Sequence, residues 1–312
     1  MGTSFARSFA LLALLCLLLP CHGKGKLSTK FYAKSCPGVA TIVRSVMAQA
    51  LAKEPRMGAS IIRLFFHDCF VNGCDASILL DDTATFTGEK NAGANANSVR
   101  GYEVIDAIKT QVEAACNGTV SCADIVALAS RDAVNLVTRR PDVERAARPE
   151  GLAHGEPECR QRQPARSGLQ RRVPRLSARD MTALSGAHTV GRARCLFFRG
   201  RIYGEPNINA TFAAARSRRA RRAAATATSR RSTTRRRTLR QRLLHEPGGA
   251  ARLLHSDQEL FNGGPADALV RKYSGNAGMF ANDFAKAMVK MGGLMPAAGT
   301  PTEVRLNCRK VN

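Results

Sequence analysis

Apolar residues recurring three and four positions apart, with no run of strict alternation, are the feature that most constrains this chain. Val39, Ile42, Val43, Val46, Met47, Ala50 and Leu51 keep that spacing, and Val104, Ile105, Ile108 and Val112 repeat it. Such a pattern predicts amphipathic helices. Ser121-Cys-Ala-Asp124 has the form of a capping box opening a further helix, with Ile125, Leu128 and Ala129 turned inward. Ser177-Ala-Arg-Asp180 is a second box, predicting a helix that carries Met181, Leu184 and His188 on one face. Residues 283–291 read as helix again, and Gly and Asn punctuate 72–101 as a long loop region. The fold expected is mostly α, without a large sheet.

The 312 residues suffice for one large domain or for two lobes sharing a cofactor. Arg7 followed by the apolar run from Ala10 to Leu19 and by Cys21-His22-Gly23 reads as a secretory leader. Residues 1–23 are therefore set apart as a signal peptide, and 24–312 as the mature domain. The leader run is too short to span a bilayer, and no other segment could. An extracellular destination makes disulfides expected. Eight cysteines remain after the leader: Cys36, Cys69, Cys74, Cys116, Cys122, Cys159, Cys195 and Cys308. Spacing alone cannot pair them. Asn117-Gly-Thr119 and Asn209-Ala-Thr211 are glycosylation sequons.

The net charge of +24 is concentrated. Residues 139–176 hold ten Arg against five acids, a net +5, and 216–252 hold thirteen Arg against Glu246, a net +12. These +17 charges leave +7 for the rest. Both segments lack apolar periodicity. One reading makes them solvated basic inserts, and another makes them arms for acidic polymers. A third comes from the genetic code. Codons chosen for Arg139 to Arg166 and read one nucleotide later spell a stretch beginning GGPTWNVPLGRRDS. Arg242 to Gly249 likewise yields AYYTNLVA, and the residues from Thr238 yield RFDNA. An out-of-frame origin also accounts for the absence of Trp.

Chemistry enters at Arg63-Leu-Phe-Phe-His-Asp-Cys-Phe70. Arg63 and His67, four apart, share one helix face. A neutral imidazole beside a fixed cation suits cleavage of a peroxide bond, one moving the proton and the other stabilising developing negative charge. Asp68, Gly73, Asp75 and Ser77 then supply hard oxygens around a tight turn, a loop suited to calcium. Cys69 and Cys74 flank that turn.

Longer stretches resemble the secretory plant (class III) peroxidases. They include SCPG at 35–38, RLFFHDCFVNGCDASILLDD at 63–82, EKNAGANANSVRGYEVID at 89–106 and VSCADIVALASRDAV at 120–134. DMTALSGAHTVGRARC at 180–195, NINATF at 207–212, LLHSDQELFNGG at 253–264 and RLNCRKVN at 305–312 follow. The likeness covers nearly all of the mature chain outside the two Arg-rich segments. It implies a two-lobed helical fold with haem b between a distal and a proximal lobe. It further implies His67 as distal acid–base, Arg63 as transition-state stabiliser, Phe66 against the haem and Asn95 holding His67. A distal calcium would take Asp68, Val71, Gly73, Asp75 and Ser77, with Glu89 linking it to the His67 network. His188 matches the proximal iron ligand, and Asp257 its carboxylate partner. Cys36–Cys116, Cys69–Cys74 and Cys122–Cys308 match three of the family's four disulfides. The implied reaction is reduction of hydrogen peroxide with one-electron oxidation of small phenolic donors, by a monomer in the cell wall, the extracellular space or the vacuole.

The departures sit in the Arg-rich segments. Thr189 matches a ligand of a proximal calcium, but the family's partner stretch is replaced by Arg235 to Arg242, so that site is expected to be lost. Cys195 lacks its partner cysteine, Cys159 reads as a stray thiol, and the Asn-Leu-Pro element that shapes the donor site is missing. A competing reading makes the chain a catalytically impaired or non-catalytic basic protein that binds acidic polymers through its Arg tracts. Specific nucleic acid is not an expected partner, because the leader sends the chain elsewhere. Sequencing the transcript across codons 138–178 and 212–254 is expected to show the family-like reading one nucleotide out of frame; a message whose shifted frame lacks that stretch would refute this.

Overall fold

A computed structural model describes residues 28, 30–138, 158–159, 176–193, 197–225, 252–297 and 300–312. The leader, most of both Arg-rich segments and Cys195 lie outside the described residues. The described chain is mostly α. In order come α1 (Val39–Lys53), α2 (Met57–Asn72), α3 (Tyr102–Ala115), α4 (Cys122–Thr138), α5 (Ala178–Ser185), α6 (Arg199–Gly204), α7 (Ala210–Ala225), α8 (His255–Gln258), α9 (Asp267–Gly275) and α10 (Ala277–Gly292). Two-residue strands β1 (Glu158–Cys159) and β2 (Thr302–Glu303) pair antiparallel.

α2 is the central element. It packs on α4, on α1 and on α10, and Ile61, Leu64, Phe65 and Cys69 on it are fully buried. One continuous core runs from Tyr32 through these helices to Val270, Tyr273, Phe284 and Met288. A small satellite cluster of Phe198 and Ile202, with Ile208, Leu253 and Leu254, sits apart from it. Asp124 is wholly buried at the start of α4. It accepts hydrogen bonds from Tyr32 and from Ser121 Oγ (2.8 Å), while Ser121 Oγ caps the Asp124 amide at 3.0 Å. Satisfying that carboxylate ties the N-terminal segment to α4.

Local differences from the sequence reading have physical causes. The Ser177 capping box is present, but α5 ends at Ser185 and His188 lies on a 3-10 turn, Gly186–Thr189. Thr182 and Ser185 turn their hydroxyls back to the carbonyls four residues earlier, which weakens a helix. Gly186 is pressed against Phe280, where a Cβ would stand 2.3 Å from the ring. α7 begins at an Asn209 cap and runs into the second Arg-rich segment as far as Ala225. Ala and Arg are both strong helix formers, so propensity sustains it where apolar periodicity stops. α10 starts at Ala277 rather than near Asp283, because Asn276 caps the Met279 amide.

Disulfides join Cys36 to Cys116, Cys69 to Cys74 and Cys122 to Cys308. Cys159 pairs through its backbone with Thr302. The Cys122–Cys308 bond spans 186 residues and the Cys69–Cys74 bond only 5. In the chain-entropy view the longer loop is worth about 5 kcal/mol and the shorter about 2 kcal/mol. Replacing Cys122 and Cys308 by Ala is therefore expected to lower the urea midpoint more than the same change at Cys69 and Cys74; the reverse order would refute the loop argument.

Candidate active site

On α2, Arg63 Nε donates to His67 Nε2 at 3.1 Å. The same guanidinium donates through Nη1 to Ser98 O (3.0 Å) and Ser98 Oγ (2.7 Å), and through Nη2 to Ala94 O (3.3 Å). One cation thus clamps the irregular 94–98 segment to the helix. Opposite it, His67 Nδ1 lies 2.6 Å from Asn95 Oδ1, and Asn95 Nδ2 donates to Glu89 O at 2.8 Å. The amide of Asn95 is oriented by that second bond, so its oxygen faces the imidazole. His67 must then carry its proton on Nδ1 and a lone pair on Nε2. Burial, and secondarily the Arg63 charge, pull the His67 pKa from 6.5 to about 4, against the opposing hydrogen bond to Asn95. The ring is neutral in ordinary solution. Phe66 stands edge-on to it, 41% exposed despite its size.

Behind this relay lies a buried acidic loop. Asp68, Asp75, Ser77 and Glu89 are all nearly inaccessible. Asp68 sits on α2, Val71 on its last turn, and Gly73 just beyond with φ of 101°. A Cβ on Gly73 would come within 2.6 Å of Leu294 O, so the turn needs glycine both for its dihedral and for space. The Cys69–Cys74 bond and the Cys74 N–H to Leu294 O bond, 2.8 Å, hold it. Asp75 Oδ1 accepts from Ser77 N (2.9 Å), and Ser77 Oγ donates to Glu89 Oε1 (3.0 Å). Burial first and the Asp75 charge second push the Glu89 carboxyl up to about 7. Among the described residues no three or more His, Cys, Asp and Glu converge as a metal cluster. The oxygen donors here are isolated carboxylates, a hydroxyl and backbone carbonyls, the set that a hard cation takes.

The second histidine is built from distant segments. His188 Nδ1 lies 2.7 Å from Oδ1 of Asp257, which α8 presents. Asp257 is buried, whereas the His188 side chain is 46% exposed. A proton shared on Nδ1 leaves Nε2 with a lone pair on the open side of the ring. Thr189 Oγ1 turns inward to Gly186 O at 2.8 Å, and the 235–242 stretch lies outside the described residues. A cavity of about 390 Å³, lined by Arg179, Asp180, Asp283, Lys286 and Lys290, involves neither histidine. It is a charged crevice of ion pairs between α5 and α10, unsuited to the chemistry of the two rings.

Sequence reasoning missed several positioning groups. Ser98 and Ala94 anchor Arg63 chiefly through carbonyls, which leave no mark in a sequence. Arg201 and Gln258, behind Asp257, are 57 residues apart and carry no spacing pattern.

A family model described as peroxidase matches residues 43–276. Peroxidase P7 of Brassica rapa subsp. rapa is 47% identical over 302 residues, covering 92% of this chain and all of that protein. Peroxidase 4 of Vitis vinifera is 46% identical over 301 residues, 92% of each. Peroxidase 70 of Zea mays is 42% identical over 327 residues and the full length of both. With such identity sustained over nearly the whole length, the chain belongs to the plant (class III) peroxidase family.

Proposed function

We propose that the chain is a secreted haem peroxidase that reduces hydrogen peroxide and oxidises small phenolic donors by one-electron steps. The observation that carries the reading is the doubly held imidazole of His67, its Nε2 lone pair beside the Arg63 guanidinium. Family membership supports the haem and the use of peroxide with a donor. The leader at 1–23 supports export to the cell wall, extracellular space or vacuole. No described helix is long and apolar enough to cross a membrane. We take the working unit to be a monomer.

The residues present fit haem b. His188 would offer Nε2 to the haem iron, with Asp257 on the other nitrogen making the imidazole more electron-rich. The exposed Phe66 offers an apolar face for a flat macrocycle. When bound, haem supplies the redox-active iron and conjugated ring that hold the two oxidising equivalents of peroxide. His67 Nε2 takes the proton from one peroxide oxygen and returns it to the other as water leaves. Arg63, fixed on Ser98 and Ala94, stabilises the negative charge growing on the departing oxygen. Asn95 keeps the His67 tautomer, and Glu89 holds Asn95.

The loop likewise fits calcium. Asp68, Asp75 and Ser77 would contribute side-chain oxygens and Val71 and Gly73 carbonyls, with Glu89 behind them. The Asp75 charge adds to burial in raising the proton affinity of Glu89, a tension that a cation would relieve. Thr189 is the remnant of a second site whose partner stretch is altered.

For the haem-loaded chain, His67→Ala is expected to lower the rate of reaction with peroxide by roughly 10²–10⁴-fold, and Arg63→Ala by about 10²–10³-fold. The wild-type rate should hold level from neutral pH to about pH 5 and fall as His67 protonates below about 4. Stopped-flow traces showing a break near 6.5 instead, or an undiminished His67→Ala, would refute the assignment. Removing calcium with a chelator should lower stability by about 2.7 kcal/mol relative to a hundredfold excess over Kd. A melting curve indifferent to calcium would remove the loop's proposed role.

A further inference from the structure

Arg201 on α6 is 3% exposed, and each of its five N–H groups has an acceptor. Nε donates to Arg252 O (2.8 Å). Nη1 donates to Glu205 Oε2 and to Asn207 Oδ1 (2.6 Å). Nη2 donates to Asn207 O (3.2 Å) and to Gln258 Oε1 (3.0 Å). Two of these acceptors, Arg252 O and the Gln258 side chain, bracket the segment that delivers Asp257 to His188. A second arm supports the first: Glu205 Oε2 also accepts from His255 Nδ1 at 2.9 Å. Below them Leu253 and Leu254 pack on Phe198 and Ile202 of the satellite cluster, outside the main core. On its N-terminal side the segment's register therefore rests on a directed polar clasp and a small apolar contact, with Leu260 and Phe261 reaching the main core just beyond it. Desolvating a guanidinium is costly; an apolar side chain there would fill space but could not aim five bonds.

We propose that Arg201 is a positioning residue for the His188–Asp257 pair, its planar fork fixing residues 252–258 so that Asp257 holds the His188 Nδ1–H. This rests on His188 being the haem ligand, as proposed above. Asp257 makes the imidazole a stronger electron donor and so favours ferric over ferrous iron. Loosening the clasp weakens that bond and raises the reduction potential.

The test is a spectroelectrochemical titration of the full haem-loaded chain, with the iron–histidine stretching frequency read by resonance Raman. Arg201→Gln is expected to shift the ferric/ferrous equilibrium about tenfold toward ferrous, about 59 mV for one electron, and to lower the stretching frequency. Arg201→Lys should not rescue it, because an ammonium keeps the charge but not the fork. Arg199→Gln, on the exposed side of the same short helix, should leave both readouts at wild-type values. Wild-type potential and frequency in a folded Arg201→Gln chain would overturn the inference, as would full rescue by Lys. Should Arg201→Gln not fold, Gln258→Met removes one acceptor and must move the potential in the same direction; an unmoved potential overturns the idea. A His188→Ala chain with an unchanged haem spectrum would overturn the ligand assignment and this inference together, separating that failure from one at Arg201 alone.

Discussion

The His67 imidazole is held by two hydrogen bonds on opposite edges, which fix its tautomer and orientation, as the base proposed for it requires. Arg63 donates to Nε2 and Asn95 accepts from Nδ1, so rotating or re-tautomerising the ring breaks both. Much of the surrounding structure serves this requirement. α2 must be rigid, which its burial against α1, α4 and α10 provides. The 89–98 segment has no regular structure to hold it, and Arg63 and Asn95 supply the bonds that a helix or sheet would supply elsewhere. The guanidinium is therefore both a charge in the site and a strut for the loop that orients its neighbour.

The electrostatic setting is a balance of opposite tendencies within a short stretch of chain. Burial drives His67 toward its neutral form and Glu89 toward its protonated form, since desolvation penalises charge of either sign. For His67 that is the state its proposed role needs. For Glu89 it is a tension that Asp75 aggravates and that a bound cation would relieve. Ser77 touches Glu89 directly, and Glu89 touches Asn95. A change in charge at the acidic loop is thus two hydrogen bonds from the imidazole's partner, a contiguous route by which the occupancy of one site would bear on the other.

The sequence made local relations legible and left long-range ones hidden. The four-residue spacing of Arg63 and His67, the Ser121 and Ser177 caps and the demand for glycine at 73 are short-range facts, fixed by helix pitch and backbone sterics. The end of α5 before His188 was not legible, because it depends on Phe280, ninety-four positions after Gly186, pressing where a Cβ would go. The Ala225 end of α7 is not legible from apolar periodicity, because Ala and Arg propensity alone carries the helix there. Asp257 beside His188, 69 positions apart, came only from family likeness; residue pattern held no sign of it. Arg201 was invisible to both approaches, since its acceptors are largely carbonyls and amides that any sequence supplies.

These ranges of interaction also explain why the two Arg-rich segments bear unequally on the two histidines. The bonds that set the His67 group are local: Cys36–Cys116, Cys69–Cys74 and every contact of Arg63, His67 and Asn95 named above fall within residues 30–138, although α2 also packs on α10 and α4 is tied to Cys308. The His188 half is different. α5 follows one altered segment directly, and the Asp257 segment emerges from the other at Arg252, whose carbonyl is itself a partner of Arg201. Upstream of Asp257 the segment packs only on the small satellite cluster, the main core being reached at Leu260 and Phe261, so the alignment of Asp257 leans on a few directed bonds. The physical vulnerability of this protein therefore lies at the His188–Asp257 pair rather than at Arg63, His67 and Asn95.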